Sequence, residues 1–222
     1  QILVLNPGRT GGALEFKQGL REGNCKCTPT ICEAETFLFA SRSIGPAEAR
    51  IFRTKFSVPL AALPGTRTQH ALDVINQIYP QFIPAKNVLH TSLNNMGAIF
   101  HPALTLLNAG WIESTLGDFQ FYMEGVTPST SKVLDVLDRE RVTVASAIGI
   151  RAQTAREWLY RAYAAEGETL FEAMRANPGY KGIKAPNRIQ HRYIFEEIPC
   201  SLIPIVEFGH QYGVNTPIMR LI

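Results

Sequence analysis

A histidine and a short charged segment carry the side chains of this sequence that are best suited to moving protons and binding carboxylates. His101 stands directly before Pro102, where we expect a helical pattern to be interrupted, and a ring at such a break can face a cleft. The segment 191–199 combines charges with aromatic rings, and Arg192 within it has the planar fork that binds a carboxylate. A carboxylate paired with a distant histidine would fix the tautomer of that histidine. The alternatives are that His101 is a structural histidine and that the segment 191–199 is an ion cluster on the surface.

A glycine-rich loop near the start of the chain is a second candidate site. The apolar run Ile2–Leu5 predicts a buried parallel strand, and residues 13–21 predict a helix. Between them lies the loop Asn6-Pro7-Gly8-Arg9-Thr10-Gly11-Gly12. Glycines let the backbone approach a ligand closely, and a helix N-terminus favours anions. Because neither G-x-x-x-x-G-K-[ST] nor G-x-G-x-x-G fits, the segment is either a ligand loop or a tight strand-to-helix turn.

Composition argues against several classes of function. The 222 residues carry a net charge of +3 without a run of lysines or arginines, so we expect no nucleic-acid partner. No stretch approaches 18 continuous apolar residues and no secretory leader is recognisable, so we expect a cytoplasmic protein without a membrane span. The five histidines and four cysteines do not pair at metal-ligand spacing, and we therefore expect no metal site.

Sequence patterns predict strands and helices in the first part of the chain and helices after it. Residues 51–58 partly alternate, which predicts a half-exposed strand. Residues 89–109 predict a long helix that Pro102 kinks or interrupts. Further helices are predicted over 127–148, over 154–165, over 169–176 and from about Ser201 or Ile203 onward.

This change of pattern divides the chain into a partial α/β domain over residues 1–86 and a mostly helical domain over residues 87–222. One or two strand–helix units cannot close a sheet, and they would leave a bare edge of parallel strand. The sequence also begins without Met and ends in an apolar helical pattern. We therefore expect this chain to be a fragment of a longer protein.

Seven blocks of the sequence stand out together: NPGRTGGALEF (6–16), NVLHTSLNN (87–95), HPALTLLNAG (101–110), FYMEGVTPS (121–129), LDRER (137–141), NPGYKGIKAP (177–186) and HRYIFEEIP (191–199). In this order and with these gaps, they resemble the opine dehydrogenases, the octopine/nopaline dehydrogenase family of NAD(P)-dependent oxidoreductases. The resemblance implies an α/β plus all-α fold. It would consist of an incomplete C-terminal part of a Rossmann domain followed by a helical domain similar to that of 6-phosphogluconate dehydrogenase. The active site would lie in the cleft between the domains.

The resemblance also implies a reaction and its residues. The amine of an amino acid joins a 2-oxo acid as an imine, which a hydride from NAD or NADP in its reduced form converts to a secondary-amine dicarboxylate. His101 resembles the general acid/base, and Glu197 stands where the family has its partner aspartate. Arg192 resembles the arginine near the substrate carboxylate, and Asn94 or Asn95 is expected near the nicotinamide or the substrate. The cofactor loop would include Asn6, Pro7, Gly8, Thr10, Gly11 and Gly12.

Two departures from the family pattern affect these expectations. Glu197 adds a methylene to the expected aspartate, so it either still orients the imidazole or misses by about an ångström, which can cost on the order of 10²-fold in rate. The G-x-G-x-x-G turn of the family lies upstream of this loop, in three βα units of about 90 residues. We therefore expect the 222-residue chain alone to be inactive.

Two alternative functions remain open at this point. A ketopantoate- or hydroxyacid-type reductase would use a 2-oxo acid without an amine. A non-catalytic remnant would use its helical half for binding or dimerisation, and a homodimer through that half is compatible with either enzyme as well. The acidic or basic residue that selects NAD or NADP in this family lies upstream of the glycine-rich loop, so the resemblance implies either cofactor.

Overall fold

The computed structural model describes residues 3–222, which form two compact units. The first contains residues 3–38 and 57–95, and the second contains residues 39–56 and 96–222. The strands are β1 (Leu3–Pro7), β2 (Thr30–Ala34), β3 (Phe39–Gly45), β4 (Glu48–Thr54), β5 (Val58–Leu63) and β6 (Phe82–Pro84). The helices are α1 (Gly12–Glu22), α2 (Thr68–Ile75), α3 (Val88–Leu93), α4 (Gly97–Leu107), α5 (Ala109–Thr115), α6 (Pro128–Ala147), α7 (Ala155–Tyr163), α8 (Leu170–Ala176), α9 (Arg192–Phe195), α10 (Ile203–Gln211) and α11 (Pro217–Leu221). The predicted α/β plus all-α fold class is confirmed, whereas the domain boundary near residue 86 stays a prediction.

The first unit is built on a four-stranded sheet in the order β1-β2-β5-β6. β1 pairs parallel with β2, β2 antiparallel with β5, and β5 parallel with β6. β2 and β5 are buried along almost their whole length, as central strands are. The predicted parallel pairing of β1 is confirmed. Its predicted burial is wrong, because among residues 3–222 it has β2 as its single neighbour and stands at the edge of the sheet. Gln1 and Ile2 lie outside the described residues.

β3 and β4 form an antiparallel hairpin that belongs to the second unit. β4 ends at Thr54 and β5 begins at Val58, so the predicted single strand over 51–58 is wrong. The expected alternation also fails, because Lys55 is buried and Phe56 is exposed. The Lys55 ammonium lies 5.5 Å from the centre of the Tyr163 ring, and this cation–π contact favours an inward lysine.

The predicted long helix over 89–109 is divided between α3, α4 and the start of α5, and the break does not occur at Pro102. α3 ends at Leu93, while α4 begins at Gly97 and continues through Pro102 to Leu107. The expected interruption at Pro102 is therefore wrong, and His101 lies inside a continuous helix. The proline falls in the second turn of α4, where it costs one helical hydrogen bond, and its ring is buried.

Helices α6, α7 and α8 of the second unit begin within one residue of the predicted positions, and each has a threonine cap. Thr127 Oγ1 accepts the N–H of Thr130 at 3.2 Å, with Pro128 in the first turn of α6. Thr154 and Thr169 cap α7 and α8 in the same way. α10 begins at Ile203, as expected. Within the part of the chain that the structure describes, no helix is long and apolar enough to cross a membrane.

Candidate active site

A histidine and a glutamate that are far apart in sequence meet in the second unit. His101 lies on α4, and Glu197 lies between α9 and the π-helical turn Ile198–Leu202. The distance between His101 Nδ1 and Glu197 Oε1 is 3.0 Å. The two side chains are 18% and 12% exposed, so the pair is largely shielded from water.

The segment around α9 orients the glutamate. His191 caps α9, because its Nδ1 accepts the N–H of Tyr193 at 3.3 Å. Ser201 Oγ donates to Glu197 Oε2 at 3.2 Å, so both carboxylate oxygens of Glu197 have a partner. Since an ionised carboxylate only accepts hydrogen bonds, the proton between Glu197 and the imidazole belongs to Nδ1. Nε2 of His101 is therefore the nitrogen that can exchange a proton with another group.

Aromatic side chains surround the imidazole. Tyr122 Oη lies 2.9 Å from His101 Nε2. The Tyr193 ring stacks on the imidazole at 3.9 Å between centres and 13° between planes. Tyr122 in turn stacks on Tyr180 at 4.1 Å. Our sequence analysis did not identify these tyrosines as site residues, although each lies in one of the seven blocks, and that position is the signal that could have pointed to them.

Burial and nearby charges set the protonation of the groups around this histidine. Burial raises the pKa of Tyr122 well above its ordinary value, and the neighbouring tyrosines add to the effect, so the phenol keeps its proton. Burial also lowers the pKa of His191 to about 4, with a further contribution from the positive charges of Arg42 and Arg192. His191 is therefore neutral near pH 7, as its role as an acceptor at the start of α9 requires.

Arg192 begins α9 and carries a half-exposed guanidinium. Its Nη1 lies 4.0 Å from Glu196 Oε2, which is a loose ion pair between two partly exposed side chains. The guanidinium carbon lies 5.6 Å from the centre of the Tyr193 ring, the ring that stacks on His101. A cation beside this ring places a carboxylate-binding group in the neighbourhood of the imidazole.

The glycine-rich loop between β1 and α1 lies in the first unit and depends on two glycines. A Cβ at Gly8 would lie 2.7 Å from the carbonyl oxygen of Glu35, so only glycine allows this close approach. Gly11 precedes α1 with φ of 88°, in the left-handed region. Among the described residues, Asn6 Oδ1 and Thr10 Oγ1 are buried without a hydrogen-bond partner. Buried polar atoms usually have a hydrogen-bond partner, so these two atoms are exceptions within the loop.

A buried glutamate links this part of the sheet to α3. Glu33 Oε1, on β2, accepts the hydroxyls of Thr91 and Ser92, each at 2.6 Å. Ser92 Oγ also lies 3.3 Å from the carbonyl oxygen of Arg9 in the loop. Burial raises the pKa of Glu33 to about 7, although the hydrogen bonds that it accepts act in the opposite direction.

The two asparagines after α3 make different contacts. Asn95 Nδ2 donates to the carbonyl oxygen of Gly8 at 2.8 Å, so it supports the glycine-rich loop. Asn94 is fully buried, and its Nδ2 donates to the carbonyl oxygen of His90 at 2.8 Å. Asn95 is thus hydrogen-bonded to the predicted cofactor loop within the first unit, and His101 is in contact with Glu197 within the second unit. Over residues 3–222, no group of three or more His, Cys, Asp or Glu side chains could hold a metal ion.

Comparisons with known proteins agree with the blocks found in the sequence. Residues 84–222 match a family model described as NAD/NADP octopine/nopaline dehydrogenase, alpha-helical domain. Over 219 residues the chain is 39% identical to an opine dehydrogenase of Arthrobacter sp. (strain 1C). This match covers 99% of the chain and 60% of the relative, so the chain spans about three fifths of the length of that enzyme.

Solved structures resemble the fold of the chain. Octopine dehydrogenase with NADH and L-arginine has a TM-score of 0.72 at 21% identity, covering 99% of this chain and 60% of the enzyme. A PanE/ApbA family ketopantoate reductase from Ralstonia eutropha JMP134 has a TM-score of 0.53 at 17% identity, covering 99% of this chain and 63% of that one. At sequence identities of 21% and 17%, these structural similarities are evidence for a shared fold alone.

Proposed function

Because the chain belongs to the NAD/NADP octopine/nopaline dehydrogenase family, we propose that the whole protein is an NAD(P)-dependent opine dehydrogenase. It would condense the amine of an amino acid with a 2-oxo acid and reduce the resulting imine by hydride transfer. The 39% identity to an opine dehydrogenase over almost the whole chain supports this assignment. The substrates named for the octopine dehydrogenase structure, NADH and L-arginine, are of the proposed classes.

The observation that carries the proposal is the contact between His101 Nδ1 and Glu197 Oε1 at 3.0 Å. Opine synthesis requires a group that gives and takes protons at the reacting nitrogen and oxygen atoms, and a histidine with one nitrogen held by a carboxylate is suited to this role. Glu197 keeps the Nδ1 proton in place, so His101 exchanges protons at Nε2. His101 is the proposed general acid/base, and Glu197 is its proposed partner.

Arg192 is the proposed ligand of a substrate carboxylate. Both substrates and the product carry carboxylates, which a guanidinium can bind through two parallel hydrogen bonds. The loose 4.0 Å pair with Glu196 leaves Arg192 able to exchange that partner for a substrate. An anion bound there would also lie beside Tyr193, whose ring supports the imidazole.

The loop Asn6–Gly12 fits the nicotinamide end of NAD(P). The unpartnered Asn6 Oδ1 and Thr10 Oγ1 are polar atoms of this loop, Gly8 keeps the loop close to the sheet, and Gly11 allows the left-handed conformation before α1. When bound, the reduced cofactor supplies the hydride. Asn95 is proposed to hold the loop through Gly8. Asn94 stays a proposed neighbour of the cofactor or substrate.

Two other functions lead to different reactions. A ketopantoate- or hydroxyacid-type reductase would oxidise NAD(P)H with a 2-oxo acid alone. Its support is the likeness in fold to a ketopantoate reductase, which is weaker than the likeness to octopine dehydrogenase. A non-catalytic binding or dimerisation module would oxidise neither cofactor.

The test uses the longest natural polypeptide that contains this sequence. Oxidation of NADH and NADPH would be measured with pyruvate alone, with amino acids alone, and with each pair. We expect oxidation that requires both substrates, and we expect the His101→Asn variant to lose about 10²- to 10⁴-fold in kcat. His70→Asn, at an exposed histidine on α2, is the matched control and should keep its activity. Turnover with pyruvate alone would favour the reductase, and no turnover with any pair would favour the binding module.

Several further properties belong to the proposal. The 222-residue chain alone is expected to be inactive, because its sequence contains no G-x-G-x-x-G turn for the pyrophosphate. Turnover of NADH or NADPH by the purified chain would contradict this. A homodimer through the helical part and a cytoplasmic location are proposed as well, and light scattering and cell fractionation test them.

A further inference from the structure

The hydroxyl of a buried tyrosine contacts Nε2 of His101, while Glu197 contacts Nδ1. We propose that Tyr122 is a positioning residue, which donates a hydrogen bond to Nε2 of His101 and, together with Glu197 at Nδ1, holds the imidazole in one tautomer and one orientation. This inference rests on the proposed function, because it assigns a role beside the proposed general acid/base. Its evidence is the 2.9 Å distance from Tyr122 Oη to His101 Nε2.

The direction of this hydrogen bond follows from the chemistry of the three groups. The Glu197 carboxylate accepts the Nδ1 proton, so Nε2 of the neutral ring presents a lone pair. Burial keeps the Tyr122 phenol protonated by raising its pKa well above the ordinary value. The phenol is therefore the donor and Nε2 is the acceptor.

The same hydroxyl can serve the protonated ring. A phenol oxygen accepts as well as donates, so rotation of the hydroxyl would let Tyr122 accept the new Nε2–H. The imidazole then keeps a partner on each nitrogen in both protonation states. A substrate that exchanges a proton with His101 at Nε2 would therefore do so through the Tyr122 hydroxyl or in place of it.

The surroundings of Tyr122 fix the position of its hydroxyl. The side chain is 6% exposed, and its ring is stacked on Tyr180 at 4.1 Å and meets Phe121 edge-on at 5.1 Å. On the other side of the site, Tyr193 stacks on the imidazole at 3.9 Å. Because both rings are held by packing, the 2.9 Å contact is a property of the folded unit and does not depend on a mobile surface side chain.

The experiment compares Tyr122→Phe with Tyr180→Phe in the longest natural polypeptide that contains this sequence. Tyr180 is the matched control, because it is a buried tyrosine of the same stack whose hydroxyl faces Asn177. The first measurement is the ¹⁵N spectrum of histidine-labelled protein, with the His101 signals assigned through their loss in His101→Asn. We expect the wild type to show the Nδ1–H tautomer with Nε2 as a hydrogen-bonded acceptor. In Tyr122→Phe the Nε2 signal should move downfield, while in Tyr180→Phe it should stay in place.

The second measurement is steady-state kinetics with the amino acid and oxo acid that the wild type uses. We expect Tyr122→Phe to lower kcat about tenfold, the effect of one lost hydrogen bond, and to leave KM for the cofactor unchanged. An Nε2–H tautomer in the wild type would overturn the proposal. An Nε2 signal that does not move in Tyr122→Phe, or that moves equally in both variants, would overturn it too. The spectra decide this without any turnover, so a failure of the dehydrogenase assignment is distinguishable from a failure of this inference.

Discussion

One methylene separates Glu197 from the aspartate that the family resemblance implies at this position. In the structure the longer side chain still reaches the ring, because Oε1 lies 3.0 Å from His101 Nδ1. The hydrogen bond that Ser201 donates to Oε2 keeps the carboxylate from turning away. Residues 196–202 continue from α9 into a π-helical turn, and the backbone there sets the distance that the glutamate spans.

Glu197→Gln tests whether the charge of this residue matters beyond its shape. Glutamine has the size of glutamate but carries no charge to stabilise a protonated imidazole, and its amide can turn a donor toward Nδ1 and favour the other tautomer. We expect kcat of the proposed dehydrogenase to fall by about 10²- to 10⁴-fold. Glu207→Gln, at an exposed position of α10, should leave kcat unchanged. A Glu197→Gln enzyme with wild-type kcat would show that the carboxylate has no catalytic part.

Glu197→Asp tests the length of the side chain while keeping its negative charge. Aspartate keeps the charge but is shorter by one methylene, and the backbone of this segment is placed for the longer side chain. We expect kcat to fall about 10²-fold, because a displacement near an ångström is costly for a positioned group. Full activity of Glu197→Asp would show that the segment adjusts freely to either acid.

At the scale of single elements, local signals in the sequence predicted the helices with strong caps. Thr127, Thr154 and Thr169 cap α6, α7 and α8, and the starts of these helices were predictable because such caps depend on residues within one turn. The interruption assigned to Pro102 is absent because the proline lies in the second turn of α4, where it costs one helical hydrogen bond. The strand assigned to 51–58 is divided between β4 and β5, with Lys55 buried between them. The family resemblance pointed to His101 and Glu197, whose side chains are in contact in the structure, whereas the contact of His101 with Tyr122 depends on packing between elements that no local pattern encodes.

The short helix α11 depends on a carboxylate from another element. Glu140 on α6 accepts the N–H of Ile218 at 3.0 Å and the N–H of Met219 at 2.9 Å. A five-residue helix has no stability of its own in water, so the cap supplies part of what holds it. We expect Glu140→Ala to destabilise the second unit by about 1–2 kcal/mol and to expose these two amides to hydrogen exchange.

Lys132→Ala is the matched control for that measurement, because Lys132 lies exposed on the same helix. It should leave the exchange of Ile218 and Met219 unchanged. Slow exchange of both amides in Glu140→Ala would mean that packing alone holds α11, and the capping interpretation would then be wrong.

At the scale of the whole molecule, the buried Glu33 and the half-buried His191 give opposite dependences of stability on pH. The pKa of Glu33 is raised to about 7, so the folded state binds this proton more tightly than the unfolded state. Its contribution to stability is present below about pH 4.5 and is lost as pH rises through about 7. The pKa of His191 is lowered to about 4, so its contribution is present above about pH 6.5 and is lost as pH falls through about 4.

Glu33→Gln should remove one of these dependences and leave the other. In the wild type, the Glu33 contribution to the free energy of unfolding should fall by about 3 kcal/mol at most between pH 4.5 and pH 7.5. The variant cannot ionise at this position, so the difference in unfolding free energy between wild type and variant should shrink or reverse over the same interval. Urea unfolding at closely spaced pH values measures this difference in unfolding free energy. Glu15→Gln, at an exposed position of α1, is the control and should keep the wild-type dependence on pH. Parallel curves for wild type and Glu33→Gln would mean that Glu33 ionises in the folded state as easily as in the unfolded one. The hydrogen bonds from Thr91 and Ser92 would then offset its burial completely.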